Sequence, residues 1–167
     1  AAENLGLESV KLLASTYAEL VEGQTLEINL SYNTSHTIED YMKVIEGKTA
    51  SLIRTSAKLG SIASDADRDV VEALSSWGWN CGIIFQISDD ILDLTSDSET
   101  LGKPAGNDIL EGTYTLNEFR DEKIIGECKD IVNHYFNKSI ESIYSLKNHE
   151  LFPVLENINN FLMNRSN

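Results

Sequence analysis

Apolar residues recur at spacings of three and four along most of the chain, the period of an amphipathic helix. The first such run lies between Glu3 and about Leu30 and includes Leu5, Val10, Leu13, Tyr17, Leu20 and Val21. Residues 31–36 are polar and hold the turn formers Asn33, Thr34 and Ser35, which predicts a loop. Thr37-Ile38-Glu39-Asp40 then sets a hydroxyl three residues before a carboxylate. That is a capping box with Asp in the usual Glu position, and it predicts a helix running to about Leu59. Residues 61–68 read as a short polar connector. From about Asp67 no breaker interrupts the pattern before Thr95, a helix on the order of 40 Å at 1.5 Å per residue. Trp77 and Trp79 cannot share a face of that helix, so at least one is expected to meet a neighbouring helix or subunit. Residues 96–106 are acidic and small, with two glycines and Pro104, and predict a loop; further helices are predicted over 124–146 and 151–165. Only two prolines occur in the sequence, which suits an all-α fold.

Composition narrows this picture. With 167 residues the chain is long enough for one domain with a sizeable core. Lys and Arg number 13 against 27 Asp and Glu, a formal charge of −14, which argues against a nucleic-acid phosphate backbone as partner. Cys81 and Cys128 belong to no Cys-x-x-Cys pattern and read as small core hydrophobes in a reducing compartment. No apolar run approaches the roughly 18 residues of a bilayer span, and no basic-then-apolar leader opens the chain, so a cytoplasmic location is expected.

The chemistry concentrates in Cys81-Gly82-Ile83-Ile84-Phe85-Gln86-Ile87-Ser88-Asp89-Asp90-Ile91-Leu92-Asp93-Leu94. On a helix Asp89 and Asp93 stand at i and i+4, roughly 5–6 Å apart between Cβ atoms. Asp90 sits beside them, and Gln86 joins the stripe one turn earlier. Three carboxylates among Ile, Phe and Leu repel one another and lose hydration, at a cost of several kcal/mol per buried ion unless a cation compensates. Mg²⁺ suits the role: it takes one or two protein carboxylates, keeps several waters and spends its other positions on phosphate oxygens.

Phe85-Gln86-x-x-Asp89-Asp90-x-x-Asp93, followed by Leu101-Gly102-Lys103-Pro104-x-Gly106-x-Asp108, closely resembles the second aspartate-rich region of trans-isoprenyl diphosphate synthases, the polyprenyl synthetase family. Upstream, Asp40-Tyr41-x-x-x-Ile45-x-x-Lys48-Thr49-Ala50 matches the same family's pattern, and Gly23-Gln24-Thr25-Leu26-Glu27 resembles its Gly-Gln segment lining the reaction cavity. Without the resemblance Gly47-Lys48-Thr49 is no phosphate loop, because Met42 stands where that motif needs its first Gly. The resemblance implies an isoprenoid synthase-type helical bundle and head-to-tail prenyl transfer from an allylic diphosphate to isopentenyl diphosphate with Mg²⁺. It implies that Asp89 and Asp93 ligate metal with Asp90 in support, that Lys48 and Lys103 hold the diphosphate, that Asp108 orients nearby lysines, and that Thr49 and Gln86 face the carbocation. A homodimer is implied as well. Oxygen dipoles facing a cation and an ammonium facing a departing diphosphate are the electrostatics such a reaction needs.

Two departures qualify the match. The family expects Gly-Lys-x-Thr after Asp108, whereas the chain reads Gly112-Thr113-Tyr114-Thr115, and a helical stretch of the relatives is lacking near residues 112–118. No second Asp-Asp-x-x-Asp occurs upstream, so the chain is expected to correspond to the C-terminal half of a synthase, with the first aspartate motif supplied by other segments or by a partner. A terpene cyclase would need Asn-Asp-x-x-Ser/Thr-x-x-x-Glu, and from Asn107-Asp108 those places hold Glu111 and Thr115, so that class fails. A non-catalytic or half-site subunit of a heteromeric synthase is the alternative; retention of Asp89, Asp90, Asp93, Lys48 and Lys103 favours catalysis. The Gly-Gln segment and the Lys48 helix look most like those of short-chain synthases making geranylgeranyl or farnesyl diphosphate.

Overall fold

The computed structural model describes residues 2–31, 33, 35, 37–95 and 122–164, and every regular element among them is helical. Helix α1 (Ala2–Leu30) is broken only at Gly6, whose φ of 76° is a conformation that L side chains rarely adopt. Helix α2 (Ile38–Ile45) begins at the expected capping box. The Thr37 hydroxyl accepts from the Asp40 backbone N–H at 3.2 Å, and the Asp40 carboxylate accepts from the Thr37 N–H at 3.0 Å.

The predicted helix continues past Leu59 to Ala63, but not in one register. Between α2 and α3 (Ser51–Ala63) the chain makes a π-helical turn over Glu46–Ala50, closed by the Ser51 N–H reaching back five residues to the Glu46 carbonyl. The Ser51 hydroxyl donates to the Gly47 carbonyl at 2.6 Å, satisfying an acceptor in the widened turn. The connector shrinks to residues 64–67, with Asp65 at φ 56° in the left-handed region that Asp tolerates.

Helix α4 (Arg68–Thr95) is the axis of the bundle. Ile83, Ile84, Ile87 and Ile91 are buried on it, α3 packs along one flank and α5 (Glu122–Ile143) along the other. Helix α5 turns Cys128, Val132, Ser139 and Ile143 inward at helical spacing, and a 3₁₀ turn, Tyr144–Leu146, ends it. Helix α6 (Phe152–Asn164) opens with Pro153 in its first turn, where a missing N–H costs nothing, and packs on α4 and α5. Both cysteines are buried, and the Cys81 thiol donates to Asn159 Oδ1 of α6 at 3.0 Å. Trp77 lies in the core; Trp79 faces α3, with the Arg54 guanidinium 5.1 Å from its ring centre.

Backbone meets backbone where α1, the π turn and α4 converge. A Cβ on Gly47 would stand 2.7 Å from the Glu19 carbonyl oxygen and 3.0 Å from the Gly23 Cα. One on Gly82 would stand 2.5 Å from the Ala50 Cα. Side chains on α1 and α3 reinforce the join: Thr16 and Thr55 share a buried hydrogen bond of 2.6 Å, and Arg54 donates to both Glu19 carboxylate oxygens at 2.8 Å.

Candidate active site

These close approaches bring Lys48 and Thr49 of the π turn against Gln86 and Asp90 of α4. With Glu27, Val44 and Ile45 they line a small pocket of about 50 Å³, room for a few waters or one end group of a ligand. The Thr49 hydroxyl donates to Gln86 Oε1 at 2.8 Å, and Gln86 Nε2 donates to Asp90 Oδ1 at 3.0 Å. From the opposite side the Tyr41 hydroxyl donates to Asp90 Oδ2 at 2.6 Å. Burial, and after it the Asp90 carboxylate, hold the Tyr41 hydroxyl well above the ordinary phenol range, so it stays a donor.

The Lys48 ammonium forms a half-buried ion pair with the Glu27 carboxylate of α1. Any anion taken by Lys48 therefore competes with Glu27. Two of the residues around the pocket were not singled out by sequence reasoning. Tyr41 and Glu27 both lie inside stretches already quoted, seven residues before Lys48 and at the end of the Gly-Gln segment, but neither spacing reveals a partner 49 or 21 residues away.

The aspartates differ in exposure: Asp89 is half-buried, whereas Asp90 at 6% and Asp93 at 3% exposed are both buried, and both Asp90 oxygens are engaged by the donors named above. Asp89 and Asp93 carry hard oxygen donors one turn apart, a chemistry that fits Mg²⁺ as one or two of its ligands, and of the two Asp89 is the more accessible, both Asp93 oxygens being buried. Among the described residues no three His, Cys, Asp or Glu side chains are grouped to hold a metal ion. Lys103, Asp108 and Thr113, with the whole of 96–121, lie outside the described residues.

The fold is an all-α bundle, and comparison with known proteins gives the family. The polyprenyl synthetase family matches residues 2–142. A prenyl transferase of Synechocystis sp. is 46% identical over 109 residues, which are 65% of this chain and 34% of that protein. Heptaprenyl diphosphate synthase component 2 of Bacillus subtilis is 43% identical over 106 residues, 64% of this chain and 30% of the relative. Among solved structures, the geranylgeranyl pyrophosphate synthetase of Pyrococcus horikoshii aligns with a TM-score of 0.79 and 32% identity over 93% of this chain and 58% of that one. The chain belongs to the polyprenyl synthetase family, whose members are prenyltransferases. The matched segments span about a third of the length of these two curated relatives.

Proposed function

We propose that this chain contributes to a Mg²⁺-dependent head-to-tail condensation of isopentenyl diphosphate with an allylic diphosphate, giving a short prenyl diphosphate such as geranylgeranyl or farnesyl diphosphate. The observation that carries the reading is the convergence of Lys48, Thr49 and Gln86 on one pocket bordered by Asp90. In this reading Lys48 releases Glu27 and takes the diphosphate, while the oxygens of Thr49 and Gln86 stabilise positive charge left on the allyl group. Asp89 and Asp93 would hold Mg²⁺, with Asp90 behind them, and the metal would neutralise the diphosphate as it leaves. Lys103 and Asp108 belong to the same proposal as further diphosphate-binding groups. A complete site also takes a second aspartate-rich helix, and product length is set by features other than those named here.

Asp89→Ala in the full-length protein is expected to abolish Mg²⁺-dependent condensation of the two diphosphates, followed by radiolabelled product formation; near-normal turnover would remove the assignment. Similarity to a heptaprenyl synthase component favours a second reading, a subunit that works only with a partner. Activity of the purified full-length protein alone decides between the two. A homodimer is part of the proposal, supported by the exposure of Leu7, Tyr17 and Ile28 along α1. So is a cytoplasmic location; no described helix is long and apolar enough to cross a membrane.

A further inference from the structure

The polar side chains around the pocket form a directed chain with one origin. A carboxylate only accepts hydrogen bonds, so Asp90 Oδ1 requires the NH₂ end of the Gln86 amide, and Gln86 Oε1 becomes the end that meets Thr49. An amide oxygen also only accepts, so the Thr49 hydroxyl must spend its single proton on Gln86. What remains of that hydroxyl toward the pocket is lone pairs. Tyr41, donating from the core, occupies the other Asp90 oxygen and holds the carboxylate against rotation.

We infer that Asp90 and Tyr41 are positioning residues that fix the hydrogen-bond polarity of Gln86 and Thr49, so that oxygen lone pairs and not N–H or O–H dipoles face the pocket. The inference rests on the prenyl-transfer reading for its consequence, because a cation developing in the pocket gains from that polarity. It separates Asp90 in role from Asp89 and Asp93, its neighbours in sequence.

The test uses the full-length protein with geranyl diphosphate and isopentenyl diphosphate. Asp90→Asn leaves one acceptor for two donors, so Tyr41 and Gln86 can no longer both donate to this side chain, and either the Gln86 amide turns its N–H to Thr49 or Tyr41 gives up its grip on the site. Its kcat is expected to fall roughly a hundredfold, the scale of losing a preorganised dipole at a reacting centre. Tyr41→Phe keeps the ring and removes the hydroxyl, and its kcat should fall about tenfold, as for other residues that orient a site from behind. In both variants KM, and calorimetric binding of Mg²⁺ with inorganic diphosphate, should stay within about threefold of wild type, where a merely structural defect would weaken binding as well. The Gln86 side-chain NH₂ signals in ¹⁵N-labelled protein should shift in both variants, a readout independent of turnover. Unchanged Gln86 signals, a Tyr41→Phe kcat within about twofold of wild type, or a Mg²⁺–diphosphate affinity weakened about tenfold by Asp90→Asn would each overturn the inference. If Tyr41→Phe fails to fold, Asp90→Asn decides alone. Full condensation by Asp89→Ala would instead sink the functional reading, and the Gln86 signals would still report on the polarity.

Discussion

Helix α4 meets its two flanking neighbours in different ways. Toward the π turn and α3 it presents Gly78 and Gly82, and the contact is backbone against backbone. Toward α5 it meets full-sized side chains, among them buried Val132 and Ile143, with Asn80 reaching Ser142 at 3.2 Å. Side-chain packing can relax around a change, because rotamers shift and small cavities are tolerated. A backbone contact cannot. The rigid flank is also the one that carries Thr49 and Gln86, so atomic spacing in the pocket is set where the structure has least freedom to adjust.

Gly82→Ala should break this contrast most forcefully. Its Cβ would overlap the Ala50 Cα at 2.5 Å, beside Thr49, so the two segments must part. Overpacking of this kind costs about 3 kcal/mol, a fall in Tm of about 6–12 °C for a chain of this size. Condensation activity should drop roughly a hundredfold, as expected for misplacement of reacting groups by about 1 Å. A Tm within about 2 °C of wild type would show that the seam yields. Val132→Ala on the other flank deletes two buried methyl groups, costs about 2 kcal/mol and lowers Tm by about 4–8 °C. Assayed well below its Tm it should keep activity within about threefold; a loss matching that of Gly82→Ala would erase the distinction between the flanks.

The smallest effect appears only in alkali. Burial pushes the Cys81 thiol up to about 12 and, with the Asp90 and Glu127 carboxylates adding to it, the Cys128 thiol up to about 11. Both lie above the ordinary value of 9.0, so the unfolded chain loses these protons first. Their protonation leaves stability unaffected below about pH 9, and stability falls as pH rises from there through the folded values. Urea midpoints should therefore match at pH 7 and 8 and decline by pH 10, with thiol reagents labelling both cysteines only on unfolding. Rapid labelling of either in the native protein at pH 8 would contradict its burial.

Helix positions, the capping box at Thr37 and the core role of both cysteines were legible in the sequence because each is a local pattern. The resemblance set Asp90 apart from Asp89 and Asp93 as a supporting group, but its hydrogen bonds were not legible in the sequence. Adjacent helical residues point about 100° apart, so Asp90 could not face as Asp89 does, though it neighbours Asp93 three residues on. Its partner Tyr41 lies in a different helix, and only folding joins them. The Glu27–Lys48 pair was hidden for the same reason, since it depends on α1 approaching the π turn through Gly23 and Gly47. The π turn itself carries no periodic signature that a search for spacings of three and four can detect.

That turn gives the helix two reading frames. A π turn holds about one residue more than an α turn, so α3 is out of phase with α2 by one position, roughly 100° around the axis. Replacing a side chain within Glu46–Ala50 alters one group, but deleting one residue would merge the frames and swing either α2 or α3 to a new face. Tyr41 lies ahead of the phase break, Lys48 and Thr49 within it and Thr55 beyond it, so such a deletion could keep the contacts on one side of the break only by abandoning those on the other. Between relatives of this chain, a length change of a single residue at this point is therefore a larger structural step than several substitutions.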